Sequence, residues 1–166
     1  CYDLEVRMDL SRRSIYRYKK GYRGYFLVFS TLLITLILLP SKESGVMLLH
    51  SKQTLSMLAT SVARKQGIDP NLVKAVINVE SSWRPSARSS KGAIGLMQVH
   101  HPTWGHLWTK EELLNPEMNI VAGTRILKDY IKQSRTLDEA LHKYSGGASG
   151  YADKVRRRMK GAYHDT

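Results

Sequence analysis

An apolar stripe that ends in a carboxylate is the clearest pattern along this chain. Its positions are spaced i, i+3, i+4 and i+7, which predicts a helix with all four residues on one face: Val73, Val76, Ile77 and Glu80. Because Glu80 ends an aliphatic face beside Trp83, we expect it to be partly desolvated. Desolvation disfavours the charged form and raises the pKa of a carboxyl group. A carboxylic acid that keeps its proton near neutral pH can donate it to a leaving group.

Capping and breaking residues delimit this helix and the one before it. Thr54 is predicted to cap a first helix, with Gly67 just past its end. The apolar face of that helix is predicted to contain Leu55, Leu58, Ala59 and Val62. Asp69-Pro70 opens the helix that carries Glu80, because proline is favoured in a first helical turn. Arg84-Pro85 is predicted to stop it.

Three further helices are predicted downstream. Asn115-Pro116 starts a longer one that reaches about Gln133, and Gly123 within it indicates a tight helix contact. The segment from Thr136 to Glu139 has the pattern of a capping box. A last helix is predicted from Tyr151 to Lys160. Because no convincing alternation of polar and apolar residues is present, the fold class is predicted to be all-α.

A different pattern precedes this domain. Residues 24–41 are uncharged and largely apolar, and a basic run lies before them. Eighteen helical residues rise about 27 Å, which nearly spans a hydrocarbon core of about 30 Å. The stretch is interpreted as an uncleaved transmembrane signal anchor with its basic side in the cytoplasm, or as a cleaved signal peptide. In either case we expect the remainder to be delivered across a membrane.

The chain is therefore predicted to have five parts. These are a basic cytoplasmic segment at residues 1–23, the anchor or signal peptide at 24–41, a linker at 42–51, an all-α domain at 52–160 and a tail at 161–166. Met8 is the earliest expected start, with residues 1–7 upstream of it.

The formal net charge of +12 favours a polyanionic partner, whether nucleic acid, anionic lipid or an acidic cell-wall polymer. The single cysteine, Cys1, excludes an internal disulfide and a multi-cysteine zinc or redox motif. His100, His101 and His106 match no common metal-binding spacing, so neither a metal nor a cofactor is predicted. The basic run from Lys154 to Lys160 could contact phosphates, but no nucleic-acid-binding module surrounds it, and no nucleic acid partner is predicted.

The candidate chemistry centres on one acid. Glycosidases usually need a second carboxylate, but Asp69, Glu111 and Glu112 lie in or beside predicted turns. A mechanism with one acid is therefore favoured. The glycines of Gly92-Ala-Ile-Gly-Leu-Met-Gln98 allow a close backbone approach, which is expected to bring Gln98 beside Glu80. The aromatic residues are interpreted as a mixture of sugar-stacking and core residues: Trp83, Trp104, Trp108, Tyr144 and Tyr151.

Two blocks carry a family resemblance. Glu80-Ser-Ser-Trp-Arg-Pro-Ser-Ala-Arg-Ser89, followed by Gly92-Ala-Ile-Gly-Leu-Met-Gln98, resembles the catalytic domain of the soluble lytic transglycosylases, which has a lysozyme-like fold. The segments around Asn115-Pro116 and around Tyr144 also look like that family. The resemblance covers roughly residues 52–160.

The resemblance implies cleavage of the bond between N-acetylmuramic acid and N-acetylglucosamine in peptidoglycan, without net hydrolysis. Glu80 matches the single acid and base of the family, while the muramic C6 hydroxyl attacks C1 to give a 1,6-anhydro end. Ser89 and Gln98 match positions that contact substrate. Tyr144 matches a tyrosine that orients the acid or stabilises charge. The location implied is the cell envelope, with the domain outside the cytoplasm.

Two departures and two alternative functions accompany the resemblance. Ser145 follows Tyr144 where the family commonly has asparagine, and His100-His101 precedes Pro102 where a Met, Thr or similar residue is usual. One alternative function is a hydrolytic muramidase of the lysozyme type. The other is a wall-binding component, catalytically weak, of a secretion or appendage assembly.

Overall fold

A computed structural model describes residues 51–161, which form a bundle of helices with one short hairpin. The helices are α1 (Lys52–Gln66), α2 (Pro70–Ser81), α3 (His101–Trp104), α4 (Lys110–Leu114), α5 (Pro116–Lys132), α6 (Leu137–Tyr144) and α7 (Tyr151–Gly161). The strands are β1 (Ala93–Ile94) and β2 (Val99–His100). The prediction of a mostly helical domain is confirmed.

The predicted segments at residues 1–23 and 24–41 lie outside the described residues, as do most of the linker and nearly all of the tail. Among the helices within residues 51–161, none combines the length and apolar character needed to cross a membrane.

Helix α1 begins three residues earlier than predicted. Ser51 is its N-cap, and the Ser51 hydroxyl accepts a hydrogen bond from the Thr54 N–H at 3.2 Å. Thr54 is therefore not the cap: it lies within the first turn and donates its backbone N–H to the cap. The predicted end is confirmed, because Gly67 has a left-handed backbone (φ 69°) and donates its N–H to the carbonyls of Ala63 and Arg64.

Helix α2 opens as predicted and ends earlier than predicted. Asp69 caps it by accepting from the Asn71 N–H at 2.8 Å, and Pro70 occupies the first turn. The predicted apolar stripe is buried, together with its neighbours: Leu72, Val73, Ala75, Val76 and Ile77. The helix stops at Ser81 because Ser82 and the residue after it adopt left-handed backbones, before the Arg84-Pro85 pair is reached.

The strands form a hairpin that the alternation of residues could not reveal, because each strand is only two residues long. They are antiparallel, with Ala93 opposite His100 and Ile94 opposite Val99. Gly95 in the turn has a φ of +80°, and a Cβ there would lie 2.2 Å from the Asn119 side chain on α5. Gly95 therefore allows a close backbone approach to α5, while the placement of Gln98 beside Glu80 stays a prediction.

Helix α5 packs against this hairpin. Asn115 caps it by accepting from the Met118 N–H at 3.1 Å. Gly123 does make a tight contact, but with Met97 of the hairpin turn, since a Cβ on Gly123 would lie 2.5 Å from the Met97 Cβ. Helix α5 and the hairpin turn therefore pack in direct contact at this position.

Capping explains how α4 and α6 begin. Thr109 and Glu112 form a complete capping box at α4, which the sequence analysis did not identify. At α6, Thr136 accepts from the Glu139 N–H at 3.2 Å, as the predicted box requires. The Glu139 carboxylate, however, accepts from the Arg135 N–H at 3.0 Å rather than from the cap residue, so only half of the box is present.

Candidate active site

Glu80 lies in the last turn of α2 and is half-buried. The Tyr151 hydroxyl at the start of α7 donates a hydrogen bond to Glu80 Oε1 at 2.5 Å. Burial raises the pKa of Glu80 above its ordinary value of 4.5, and the hydrogen bond from Tyr151 opposes that rise in part. The expected desolvation of the acid is present, so the geometry favours a carboxyl group that holds its proton to higher pH than an exposed glutamate does.

Tyr151 is the residue that sequence reasoning did not assign to the site. It was one of several aromatic residues interpreted as core or sugar-stacking groups, and its partner lies 71 positions away in the sequence. The residue is 7% exposed. Burial, and then the neighbouring Glu80 carboxylate, raise the pKa of Tyr151. The phenol therefore stays protonated and acts towards Glu80 as a hydrogen-bond donor.

Tyr144, at the end of α6, approaches the same site from another direction. Its hydroxyl donates to the Met97 carbonyl at 2.8 Å. Burial raises the pKa of Tyr144 well above its ordinary range, with smaller contributions from the charge of Glu80 and from Tyr130. The structure therefore brings Tyr144 into the surroundings of the acid, but the direct hydrogen bond to Glu80 comes from Tyr151.

Met97 is fixed from three sides by α5 and α6. Its N–H donates to the side-chain oxygen of the fully buried Asn119 at 2.8 Å. The Asn119 amide nitrogen donates in turn to the carbonyls of Ile94 and Leu113, both at 2.8 Å. The Thr124 hydroxyl donates to the Met97 sulfur at 3.6 Å. This network holds the carbonyl that receives the Tyr144 hydroxyl, and it sets the position of the next residue, Gln98.

Gln98 is half-buried and supports the loop before the hairpin. Its amide nitrogen donates to the Ala87 carbonyl at 3.2 Å and to the Gly95 carbonyl at 2.9 Å. Both amide hydrogens are thus used within the described part of the chain. Any contact that Gln98 makes with a ligand would therefore use Oε1 as an acceptor.

Ser89 is exposed in the same loop, two residues after Ala87. Its hydroxyl oxygen accepts from the Ala93 N–H at 3.0 Å, and its N–H donates to the Ala93 carbonyl at 2.9 Å. The hydroxyl hydrogen makes no hydrogen bond to the residues that the structure describes. Ser89 can therefore donate to a ligand without giving up its place in the turn.

The backbone directly after the acid is strained. Ser82 and Trp83 have φ angles of 50° and 67°, in the left-handed region that non-glycine residues rarely occupy. Gln98 has a φ of 46° as well. Such strain clusters at functional sites, where surrounding contacts fix the conformation. Here the left-handed residues end α2 within three residues of Glu80.

None of the acidic candidates named from the sequence contributes to the raised pKa of Glu80, whose causes are burial and the opposing Tyr151 hydrogen bond. Asp69 caps the far end of α2, eleven residues and about 16 Å along the helix axis from Glu80. Glu112 accepts from the Thr109 N–H in the capping box at 2.9 Å, and Glu111 is exposed in the same turn. Within residues 51–161, no group of three or more His, Cys, Asp or Glu side chains could hold a metal ion.

Comparison with known proteins bears on the family of the chain. A family model described as the transglycosylase SLT domain matches residues 57–165. The endo-type membrane-bound lytic murein transglycosylase A of Citrobacter koseri is 42% identical over 71 residues, which are 37% of this chain and 35% of the relative. The chain thus spans about a third of the length of that curated relative.

Proposed function

The chain belongs to the transglycosylase SLT domain family, and from that premise we propose that it is a lytic murein transglycosylase. The proposed reaction is cleavage of the bond between N-acetylmuramic acid and N-acetylglucosamine in peptidoglycan, with a 1,6-anhydro end as product. The observation that carries the proposal is the state of Glu80: one half-buried acid with a raised pKa and a tyrosine donor on one oxygen. The matched relative, whose name describes a lytic murein transglycosylase, also supports it.

Glu80 acts twice in the proposed reaction. First it donates its proton to the glycosidic oxygen as the bond from that oxygen to the muramic C1 breaks. The muramic C6 hydroxyl then attacks C1, and its proton passes to the Glu80 carboxylate. The acid is restored, no water is consumed, and the substrate supplies the nucleophile. This accounts for a site in which one carboxylate is sufficient.

Two tyrosines position the groups around that acid. Because the Tyr151 hydroxyl occupies Oε1 of Glu80, the other carboxyl oxygen is the one left to exchange the proton. The same hydrogen bond stabilises the carboxylate formed after the first step, since a hydrogen bond to a charged group is stronger than one between neutral groups. Tyr144 acts one step further away, because its hydroxyl holds the Met97 carbonyl beside Gln98.

Ser89 and Gln98 are proposed to bind the glycan. The hydrogen bonds that each makes within the protein leave one function for a ligand: the Ser89 hydroxyl hydrogen as a donor and Gln98 Oε1 as an acceptor. Sugars with N-acetyl and hydroxyl groups present both partners. No cofactor takes part in the proposed reaction.

The proposed location is the cell envelope, where peptidoglycan lies. Attachment to the membrane depends on the anchor predicted at residues 24–41, and association with a secretion or appendage assembly is a further proposal on the same basis.

The test is digestion of purified peptidoglycan by the full chain, with mass spectrometry of the soluble fragments. Fragments lighter by one water than the hydrolytic products are expected. Fragments of hydrolytic mass would show a lysozyme-type muramidase instead. Binding to the polymer without release of any fragment would show the wall-binding component and contradict the proposed reaction.

A further inference from the structure

Helix α7 presents a strongly basic surface. Its buried side chains, Tyr151 and Val155, and its half-buried ones, Ala152 and Met159, lie on one face, and the helix packs against α2 and α6. All of its basic side chains are exposed: Lys154, Arg156, Arg157, Arg158 and Lys160. Of these, only Arg156 forms an ion pair with a carboxylate within residues 51–161, that of Asp138 on α6 at 2.5 Å.

That ion pair fixes which edge of α7 faces α6. Successive helical residues are rotated by about 100°, so Lys154 and Arg158 both lie about 160° around the helix from Arg156. They are on the edge away from α6. They also follow Tyr151 at i+3 and i+7, which places them in one row with it. Arg157 borders this row, and we call Lys154, Arg157 and Arg158 the cationic stripe.

The cationic stripe follows, along α7, the tyrosine that contacts the acid. Tyr151, at the head of the row, donates to Glu80, and Lys154 and Arg158 lie about 4.5 Å and 10.5 Å further along the helix axis. The three cations therefore occupy the first turns of α7 as it leaves the site. Like charges gathered so closely repel one another. Asp153, exposed in the first turn of α7, offsets one of them, and an anionic partner relieves the remaining repulsion.

We propose that the cationic stripe binds carboxylates of the peptide stems of peptidoglycan. This inference rests on the proposed function, since the glycan must lie at Glu80. Muramic acid carries the stem, so a stem is attached to the sugar whose bond is cleaved, and its free carboxylates lie within reach of cations along α7. Arginine binds carboxylates through two parallel hydrogen bonds, and the cationic stripe contains two arginines.

An anionic membrane surface suits the cationic stripe less well. A helix that binds in the membrane interface pairs its basic face with an exposed apolar one. In α7 the apolar side chains Tyr151 and Val155 are buried against the rest of the domain, which leaves no such face. The cationic stripe therefore fits a hydrated, carboxylate-bearing polymer.

The test compares two substrates and two variants of the full chain. The substrates are uncrosslinked peptidoglycan strands with intact stems and the same strands after an amidase has removed the stems. One variant combines Lys154→Gln, Arg157→Gln and Arg158→Gln. The matched control removes the same charge from exposed lysines on α1, α4 and α5 by Lys52→Gln, Lys110→Gln and Lys132→Gln. Arg157→Gln and Arg158→Gln are also measured singly, so that a failure of the triple variant to fold does not decide the result.

Loss of the cationic stripe is expected to raise KM about tenfold on stem-bearing strands, with little change in kcat and little change on stem-free strands. The single variants are expected to show smaller losses with the same substrate dependence, and the control is expected to match the unsubstituted protein. An equal loss on both substrates, or an equal loss in the control, would overturn the proposal. Loss of binding to anionic lipid vesicles with unchanged action on both strands would overturn it in favour of a membrane surface.

Failure of the proposed function itself gives a separate result. If the unsubstituted chain yields no anhydro product from either substrate, co-sedimentation with the insoluble polymer, with and without stems, still measures the cationic stripe. Stem-dependent binding that the triple variant loses would support the stripe, and binding independent of the stems would contradict it.

Discussion

Replacing Tyr151 with phenylalanine tests how the acid is held. Tyr151→Phe removes the hydroxyl that donates to Glu80 Oε1 and keeps the buried ring. That hydrogen bond opposes the effect of burial on the Glu80 carboxyl. We therefore expect the pKa of Glu80 to rise further in the variant.

The size of the effect follows from the geometry. A hydrogen bond to a charged group contributes about 1.5–3 kcal/mol when it is well formed. Because Glu80 is only half-buried, solvent will compensate part of the loss, and about 1–1.5 kcal/mol remains. This corresponds to a roughly tenfold lower acid dissociation constant.

The substitution also changes how stability depends on pH. Folding raises the pKa of this carboxyl group. Between the pKa of the unfolded state and that of the folded state, the folded protein binds more protons than the unfolded one, so the free energy of unfolding falls as pH rises. Tyr151→Phe extends this pH range to higher pH, because it raises the pKa of Glu80 in the folded state. The variant should therefore lose more stability at neutral pH than at a pH below 4.5, the ordinary value.

The assay is a titration of the Glu80 carboxyl carbon by nuclear magnetic resonance, in the unsubstituted chain and in the variant. Tyr130→Phe is the matched control, because it removes the same atom from a tyrosine that does not bond Glu80. Its ring lies edge to face with Tyr144 at a centroid distance of 6.5 Å. An unchanged or lowered pKa of Glu80 in Tyr151→Phe would refute the reasoning, as would an equal change in Tyr130→Phe.

Three further predictions concern the frame around the acid, each measured by urea unfolding. Asn119→Ala should lower the free energy of unfolding by about 3–5 kcal/mol, because it leaves one N–H and two carbonyls unpaired in the core. A decrease of less than about 1 kcal/mol would show that the network is not required. Gly123→Ala should lower the free energy of unfolding by about 1–3 kcal/mol, since its Cβ would lie 2.5 Å from that of Met97. An unchanged free energy of unfolding would contradict the tight contact. Ser82→Gly should raise the free energy of unfolding by about 0.5–1 kcal/mol, because glycine adopts the left-handed backbone without strain. A decrease would mean that the serine side chain stabilises the fold by more than the strain destabilises it.

The five helices of eight or more residues and the acid could be predicted from the sequence because their signals are local, whereas the short helices α3 and α4 were not predicted. The spacing of Val73, Val76 and Ile77 has a helical period, and Asp69-Pro70 and Gly67 lie at helix ends for reasons of backbone chemistry. The desolvation of Glu80 followed from its place at the end of that face. These features need only neighbours within a few turns.

The other features of the fold and the site depend on contacts between residues distant in sequence, or on which of two similar residues takes a given role. Tyr151 and Glu80 are 71 positions apart, and nothing local distinguishes that tyrosine from a core residue. The hairpin is too short for alternation to show. Ser51 and Thr54 are both favourable N-cap residues, so residue type does not distinguish them, and the structure uses Ser51. The early end of α2 comes from backbone strain, which has no compositional signal at Ser82.

The most direct test of the central claim measures the action of the Glu80→Gln variant on purified peptidoglycan. Glu117→Gln on α5 is the matched control, and mass spectrometry counts the anhydro-ended fragments. Glutamine keeps the shape of the side chain but cannot donate or accept the proton, so kcat should fall on the order of 10²–10⁴-fold while unfolding by urea shows that the domain remains folded. The control should keep its activity. Undiminished release of anhydro-ended fragments by Glu80→Gln would remove this residue from the reaction and contradict the account.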